Sequence, residues 1–577
     1  MLERKALRRF ALITVLFLQA CGGGGDSGNS SGGGGGGDVG TTTKIARVEV
    51  VQTYSQQSST GYQRLVPGKQ ALVRVFLTGT TGAASPTITA QVWAGSTALG
   101  TLTFTGPATI SNTVDSFAYS QSYNATLPPE WVRSGLQVAV EARSGTDLVA
   151  SATRSPVVGT RVGMQLMLVP LTANNGSGGA TVTAQLPSQA DIRSTLLRTY
   201  PLVDDSLTMS VRTAYRITST SAVRSDAEWE DALVELEQLR SSENAANSRG
   251  NGWHYYGFVP LPNFSSGIVG LAYQNTTNGN GSVRSAIGAD NEVSFALDTM
   301  THEIGHNQGL GHAPCGLSQQ DIQADDFART FPYTNGGVGP APIFDVLNLT
   351  PASPKPVYDV MSYCDGSYFS DYSYQRVQSF MESLTSASLR GLAVAAPADL
   401  LLLSGRISGD TVSFKPVTAL RGRPSSTSGD WTLRVQTTDG TSTDYAFTPV
   451  QVADLGHSTS HFAIAIPAGD INQVQVLHQG TALQTLAPDA TVSASTRGTA
   501  SASELQWSES GGQLNVTWDA VRYPTLAVSH VDAETRVIAL KLTGGKASLP
   551  LADLPAGGKW AFSLARGFSA KRVEAER

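Results

Sequence analysis

From residue 44 onward, apolar residues gather in short β-branched runs such as IARVEVVQTY and ALVRVFLTG, parted by the turn segment Val66-Pro67-Gly68-Lys69. Run follows run without a helical period, which predicts an N-terminal β-sandwich over 44–158. From 159 to 395 the pattern alternates. Val162–Val169 (VGMQLMLV) reads as a buried strand. A helix should start at Ser188, with Asp191 as its capping partner and Ile192, Leu196 and Tyr200 on one face. LTMSVRTAYRI reads as a strand, and Trp229, Leu233, Leu236 and Leu239 recur at helical spacing with Glu and Arg opposite. WHYYGFVPL, GIVGLAYQ and SVRSAIGA read as further strands, followed by a helix through SFALDTMTHEIGH. That is a mixed α/β layout. Beyond 396 the pattern is β again: LLLSGRI, TVSFKPV, WTLRVQTT and HFAIAI predict a β domain over 396–490. LNVTWDA, TLAVSHV and RVIALKL predict a C-terminal β-sandwich-like domain over 491–577, with the boundary in TVSASTRGTASAS. The expected fold is multidomain α+β.

A length of 577 residues demands several cores, in line with this division. With a net charge of −6 and only 15% charged residues, the chain carries no basic footprint for nucleic acid. The start of the chain changes the picture more. Arg4, Lys5, Arg8 and Arg9 precede a short apolar stretch, Phe10–Leu18, and together they read as a signal peptide over 1–20. Leu18-Gln19-Ala20-Cys21 resembles a bacterial lipobox, so Cys21 is the expected lipidation site; a plain secretory signal with an incidental Cys is the alternative. Residues 21–43 are Gly-rich and predict a flexible tether. Gly25-Asp26-Ser27-Gly28 spells the surroundings of a serine nucleophile, but a low-complexity run with no His partner makes it linker. Cys315 and Cys364 remain. In an exported protein this even remainder suggests a disulfide, two free buried thiols being the alternative.

The chemistry concentrates in residues 302–312, HEIGHNQGLGH. The chain has 8 His, and three of them fall in this stretch beside a Glu and a Gly at the spacing H-E-x-x-H-x-x-G-x-x-H. His302 and His306, four apart on a helix, present two imidazoles on one face. Gly309 allows the positive φ that ends the helix and returns His312 as a third ligand. Three protein ligands leave a fourth position open, as a catalytic zinc requires. Such a zinc lowers the pKa of its water toward about 7. Glu303 is then the general base that takes the proton and hands it to the leaving nitrogen.

Asp359-Val360-Met361-Ser362-Tyr363 resembles the Met-turn of the metzincins, with Met361 beneath the three histidines. With VEVVQTY and LVPGKQALVRVF in the preceding β domain, HEIGHNQGLGH and MSYC make residues 44–395 most similar to the StcE/TagA type of secreted bacterial metalloprotease. The resemblance implies a metzincin-like mixed α/β catalytic domain flanked by β-sandwich domains, and substrates that are densely O-glycosylated, mucin-like proteins. Tyr363 matches the position at which astacin-like metzincins place an oxyanion-steadying Tyr; core packing is the alternative role. Two departures stand out. The 48 residues between His312 and Met361 form a long loop, and Ala313 stands where reprolysin-type enzymes carry Asp.

Further expectations follow. Gly267–Gln274 is a candidate open edge strand for an extended substrate. His254, His457, His461, His478 and His530 read as structural or solvated. Asp321, Asp325 and Asp326 are candidate Ca2+ ligands, with a solvated loop as the favoured reading. No Cys other than Cys21 precedes the catalytic region, which argues against a thiolate that blocks the metal. The leading expectation is a monomeric, lipid-anchored zinc endopeptidase at the outer membrane or cell surface, acting on extracellular proteins or glycoproteins. The alternative is an adhesin or glycan-binding lipoprotein whose zinc site is secondary.

Overall fold

Alternating burial turns the first runs into strands: along Leu136–Ser144, Leu136, Val138, Val140 and Ala142 point inward while their neighbours face out. In the computed structural model, Lys44–Val51, Ala71–Thr78 and Tyr123–Leu127 belong to one four-stranded sheet, and Thr87–Ala94 and Leu136–Ser144 to another. Val73, Val75, Val138 and Val140 meet in one core between them. The structure describes residues 43–56, 64–249, 252–261, 267–275, 283–352, 358–388, 398–425, 428–455, 459–486, 504–551 and 554–577. The signal peptide, Cys21, the tether up to residue 42, His457 and the polar run 491–503 lie outside the described residues.

The mixed α/β domain is built from β1 (Met164–Ala173), α1 (Gln189–Thr199), β2 (Leu207–Val211), α2 (Asp226–Ala246), β3 (Trp253–Val259), β4 (Gly270–Gln274), β5 (Ser285–Ala289) and α3 (Val293–Asn307). Ser188 caps α1 by accepting from the Asp191 N–H at 3.1 Å. Ser225 and Glu228 form a capping box on α2. The strands are apolar on both faces because helices cover both. Leu166 and Leu168 of β1 join Ile192 of α1 and Met300 of α3 on one side. Val169 and Leu171 join Trp229, Leu233, Leu236 and Leu239 of α2 on the other. The N-terminal sandwich is tied to this domain by the buried Lys69, whose Nζ donates to the carbonyls of Leu197 (2.8 Å) and Tyr200 (3.1 Å) at the end of α1. Burial pushes Lys69 down to about 7.

The sheet does not stop at residue 395. β6 (Ala398–Ser408), β7 (Val450–Val452) and β8 (Thr459–Pro467) extend it, in the order β2-β1-β3-β5-β4-β7-β8-β6. β1, β2, β3 and β5 pair in parallel; β4 runs antiparallel to both β5 and β7. The expected open edge at Gly267–Gln274 is corrected at its C-terminal end: β7 pairs the outer side there, with Tyr273 opposite Val452, Gln274 opposite Gln451 and the Ala453 N–H on the Ala272 carbonyl. β6 and β8 also form half of a sandwich, in which Leu401, Leu403 and Ile464 pack on Leu433, Val435 and Val474. A three-stranded and a four-stranded sheet over 505–576 enclose Val516, Val528, Trp560 and Phe562. The architecture is a mixed α/β domain flanked by β-rich domains. No helix among the described residues is long and apolar enough to cross a membrane.

Candidate metal centre

α3 faces the core through Leu297, Met300 and Ile304. His302 and His306 lie one turn apart on another part of its surface, and their Nε2 atoms stand 3.1 Å from each other. A zinc at the usual ligand distance needs two imidazole nitrogens about 3.3 Å apart in tetrahedral geometry. The other ring nitrogens are committed: His302 Nδ1 donates to the Val360 carbonyl at 2.7 Å and His306 Nδ1 to the Leu310 carbonyl at 2.9 Å. Both Nε2 lone pairs are thereby turned to the same point.

The helix ends in a Schellman turn. Leu310 N–H donates to the Gly305 carbonyl and Gly309 N–H to that of His306, with Gly309 at φ 83°. That turn brings His312 in from outside the helix, and its ring centroid lies 4.7 Å from His306 and 5.4 Å from His302. Asp325 holds this arm. Its Oδ2 accepts from the His312 N–H at 3.0 Å, and its Oδ1 caps the short helix Asp326–Thr330 through the Phe327 N–H at 2.8 Å. A Cβ on Gly311 would sit 2.7 Å from both Asp325 oxygens, so this approach needs glycine. Asp321 pairs with Ser318 in its own helix cap and Asp326 with Arg329. The three acids are engaged separately, and nothing supports a Ca2+ site there.

The floor is Met361, fully buried, its sulfur where a Cβ on Gly305 would come within 2.5 Å. Asp359, also fully buried, shapes the turn by accepting from the N–H groups of Met361 and Ser370, each at 2.8 Å. The Cys315–Cys364 disulfide is present, spanning 49 residues. With the bonds from Ala313 N–H to the Met361 carbonyl (2.9 Å) and Tyr363 N–H to the Cys315 carbonyl (3.0 Å), it fastens the third-ligand loop to the Met361 turn. Tyr363 is 52% exposed, which excludes core packing, and its hydroxyl lies 3.1 Å from His312 Nε2.

One member of the cluster was not foreseen from the sequence. Asp454, just past β7, brings Oδ1 to 2.8 Å from His312 Nε2 and Oδ2 to 3.7 Å from His306 Nε2, and accepts from the Tyr363 hydroxyl. His302, His306, His312 and Asp454 offer ligand atoms all within 4.8 Å of one another. Burial lowers His302 to about 4 and holds His306 neutral as well, the form in which imidazole binds metal. Burial disfavours protonated His312 too, but the Asp454 carboxylate outweighs it and raises that group. Burial alone would raise Asp454, yet the three imidazoles hold it far below the usual carboxylate range. Glu303 is 3% exposed; burial, then the neighbouring Asp454, push its carboxyl up, and its Oε2 has no hydrogen-bond partner. Neutral His302 and His306 with His312 adjoining, beside Glu303 Oε2 and Asp454 Oδ2, which have no hydrogen-bond partner, fit a divalent cation.

The remaining described histidines are structural. His254 is buried beside Gln308, and His461 bridges Tyr273 and Glu230. His478 stacks on Trp431, and His530 Nε2 meets the Gly557 carbonyl at 2.8 Å.

Residues 188–337 match the family model Reprolysin_5, described as Metallo-peptidase family M12. This supports a metzincin-like metallopeptidase domain in that part of the chain. Ala313, where reprolysin-type enzymes carry Asp, does not prevent the match. No curated protein matches the chain. Among solved structures, a two-domain fibronectin type-III segment from chicken tenascin aligns at 11% identity and TM-score 0.13, over 32% of this chain and 94% of that one. A β-glucuronidase from Ruminococcus gnavus aligns at 9% identity and TM-score 0.12, over 39% of each chain. Neither likeness is close enough to bear on fold or function.

Proposed function

We propose that this chain is a zinc-dependent endopeptidase that hydrolyses extracellular proteins, with O-glycosylated, mucin-like proteins as its substrate class. The observation that carries the reading is the convergence of the His302 and His306 Nε2 atoms at 3.1 Å, with His312 adjoining and the buried Glu303 beside them. Zinc held by His302, His306 and His312 would acidify water and polarise a peptide carbonyl. Glu303 accepts a proton from the attacking water and delivers it to the leaving nitrogen. Tyr363, with its hydroxyl at the rim of the cluster, donates to the developing oxyanion. Met361 and the Cys315–Cys364 bond hold the floor and the third-ligand arm in register. A lipoprotein whose zinc site is only structural gives the buried Glu303 no task, so the adhesin reading leaves it unexplained.

The mucin-like substrate class rests on the StcE/TagA resemblance of residues 44–395. Export, lipid anchoring at Cys21 and placement at the outer membrane or cell surface rest on the first 21 residues. A monomer completes the reading. The test is to incubate the zinc-loaded chain from residue 40 with mucin-type and unglycosylated proteins, with and without a chelator. Chelator-sensitive cleavage of the mucin-type protein is expected, with a Glu303→Gln variant that retains zinc and is inert. Cleavage that survives chelation, or equal cleavage by Glu303→Gln, contradicts the peptidase chemistry. Equal cleavage of both proteins removes the mucin preference.

A further inference from the structure

The strand nearest the general base is β4: a Cβ added to Gly270 would lie 2.2 Å from Glu303 Oε1. An extended peptide entering such a cleft adds to this strand by main-chain hydrogen bonds. The chain's own β7 already does so. It runs antiparallel to β4, and beyond the Val452–Tyr273 pair the Ala453 N–H donates to the Ala272 carbonyl at 2.9 Å. Val450 and Val452 are buried in the cluster that holds Leu271 and Tyr273, and β8 pairs the other side of β7. The next residue, Asp454, adopts φ 69°, a left-handed conformation uncommon outside Gly, Asn and Asp. It presents its carboxylate to the imidazoles, and its Oδ2 is buried without a hydrogen-bond partner.

We infer that Val450–Asp454 is a built-in occupant of the substrate cleft and that Asp454 is the fourth metal ligand, so that the folded chain cleaves only in the fraction of molecules in which this segment is displaced. The inference rests on the metallopeptidase reading. His302, His306, His312 and Asp454 would together supply four protein ligands to a zinc, which is the closed donor set of a non-catalytic site. Asp454 would then take the position that an attacking water needs. It also engages the Tyr363 hydroxyl, the proposed oxyanion donor. What meets the cluster is a side-chain carboxylate, so the segment blocks the cleft without offering a peptide bond for cleavage. An extended substrate pairing with β4 over Ala272–Gln274 has to displace β7.

The test uses Asp454→Asn and Asp454→Ala in the full chain. Asn tolerates the left-handed backbone and keeps the side-chain shape, so it decides the matter should the Ala variant fold poorly. Zinc affinity by chelator competition should weaken by at least about 10-fold in the variants, the loss that even an indirect partner of a metal ligand causes. The visible spectrum of the cobalt-substituted protein should change as a carboxylate gives way to solvent. Peptide cleavage should rise more than about tenfold, because the open state no longer competes with the bound carboxylate. Unchanged zinc affinity and cobalt spectrum, or cleavage no faster than in the parent, overturns the inference while leaving the peptidase reading intact. Failure of parent and variants alike to bind zinc overturns both.

Discussion

The end of α3 and the end of β7 meet at one point but are built in opposite ways. The helix end is local: His302, Glu303, His306, the Gly309 turn and His312 lie within eleven residues, positioned by helical period and one positive φ. Asp454 arrives from a strand far downstream, positioned by pairing with β4 and by burial of Val450 and Val452. The first region assembles the chemistry; the second governs access to it. Damage to the helix side should therefore abolish metal binding or turnover, whereas damage to Asp454 should release turnover.

The largest effect on the helix side is expected from His306→Ala. Zinc content should fall from about one equivalent per chain to near zero, measured by elemental analysis after dialysis. Retention of a full equivalent would dissolve the contrast. Glu303→Gln should keep the zinc and lose about 10²- to 10⁴-fold in kcat, read from peptide cleavage in an Asp454→Asn background. Removing the disulfide by Cys315→Ser should destabilise by about 4 kcal/mol in the chain-entropy model, seen as a lower midpoint in denaturant. An unchanged midpoint would mean that the loop is held by its backbone bonds alone. Gly305→Ala forces a methyl against Met361 and should cost about 1–3 kcal/mol by overpacking. The loss should shrink when Met361 is shortened, and equal losses in both backgrounds would remove Met361 from direct contact.

The same contrast explains what the sequence disclosed. The cap at Ser188, the buried face of α2 and the metal motif are legible because each depends on neighbours three or four residues away. The Cys315–Cys364 pairing could be suggested because only two cysteines remained. Asp454 left no such trace: nothing in QVADLG names β4 or the metal cluster as a partner. The end of the expected edge, Ala272–Gln274, was misread for the same reason, since an edge is a property of the whole sheet. Asp325 reads as a loop acid, and only the fold shows it buried as the clamp on His312. Tyr363 could be aligned with a role, but its exposed hydroxyl beside His312 had to be seen.

The convergence of three imidazoles on one cation can be tested directly by zinc-edge anomalous diffraction from crystals of the zinc-loaded protein. A single strong peak is expected about 2.0–2.1 Å from the Nε2 atoms of His302, His306 and His312, with a carboxylate oxygen of Asp454 completing the shell. A map with no peak at this position, or with the three rings turned apart, would contradict it.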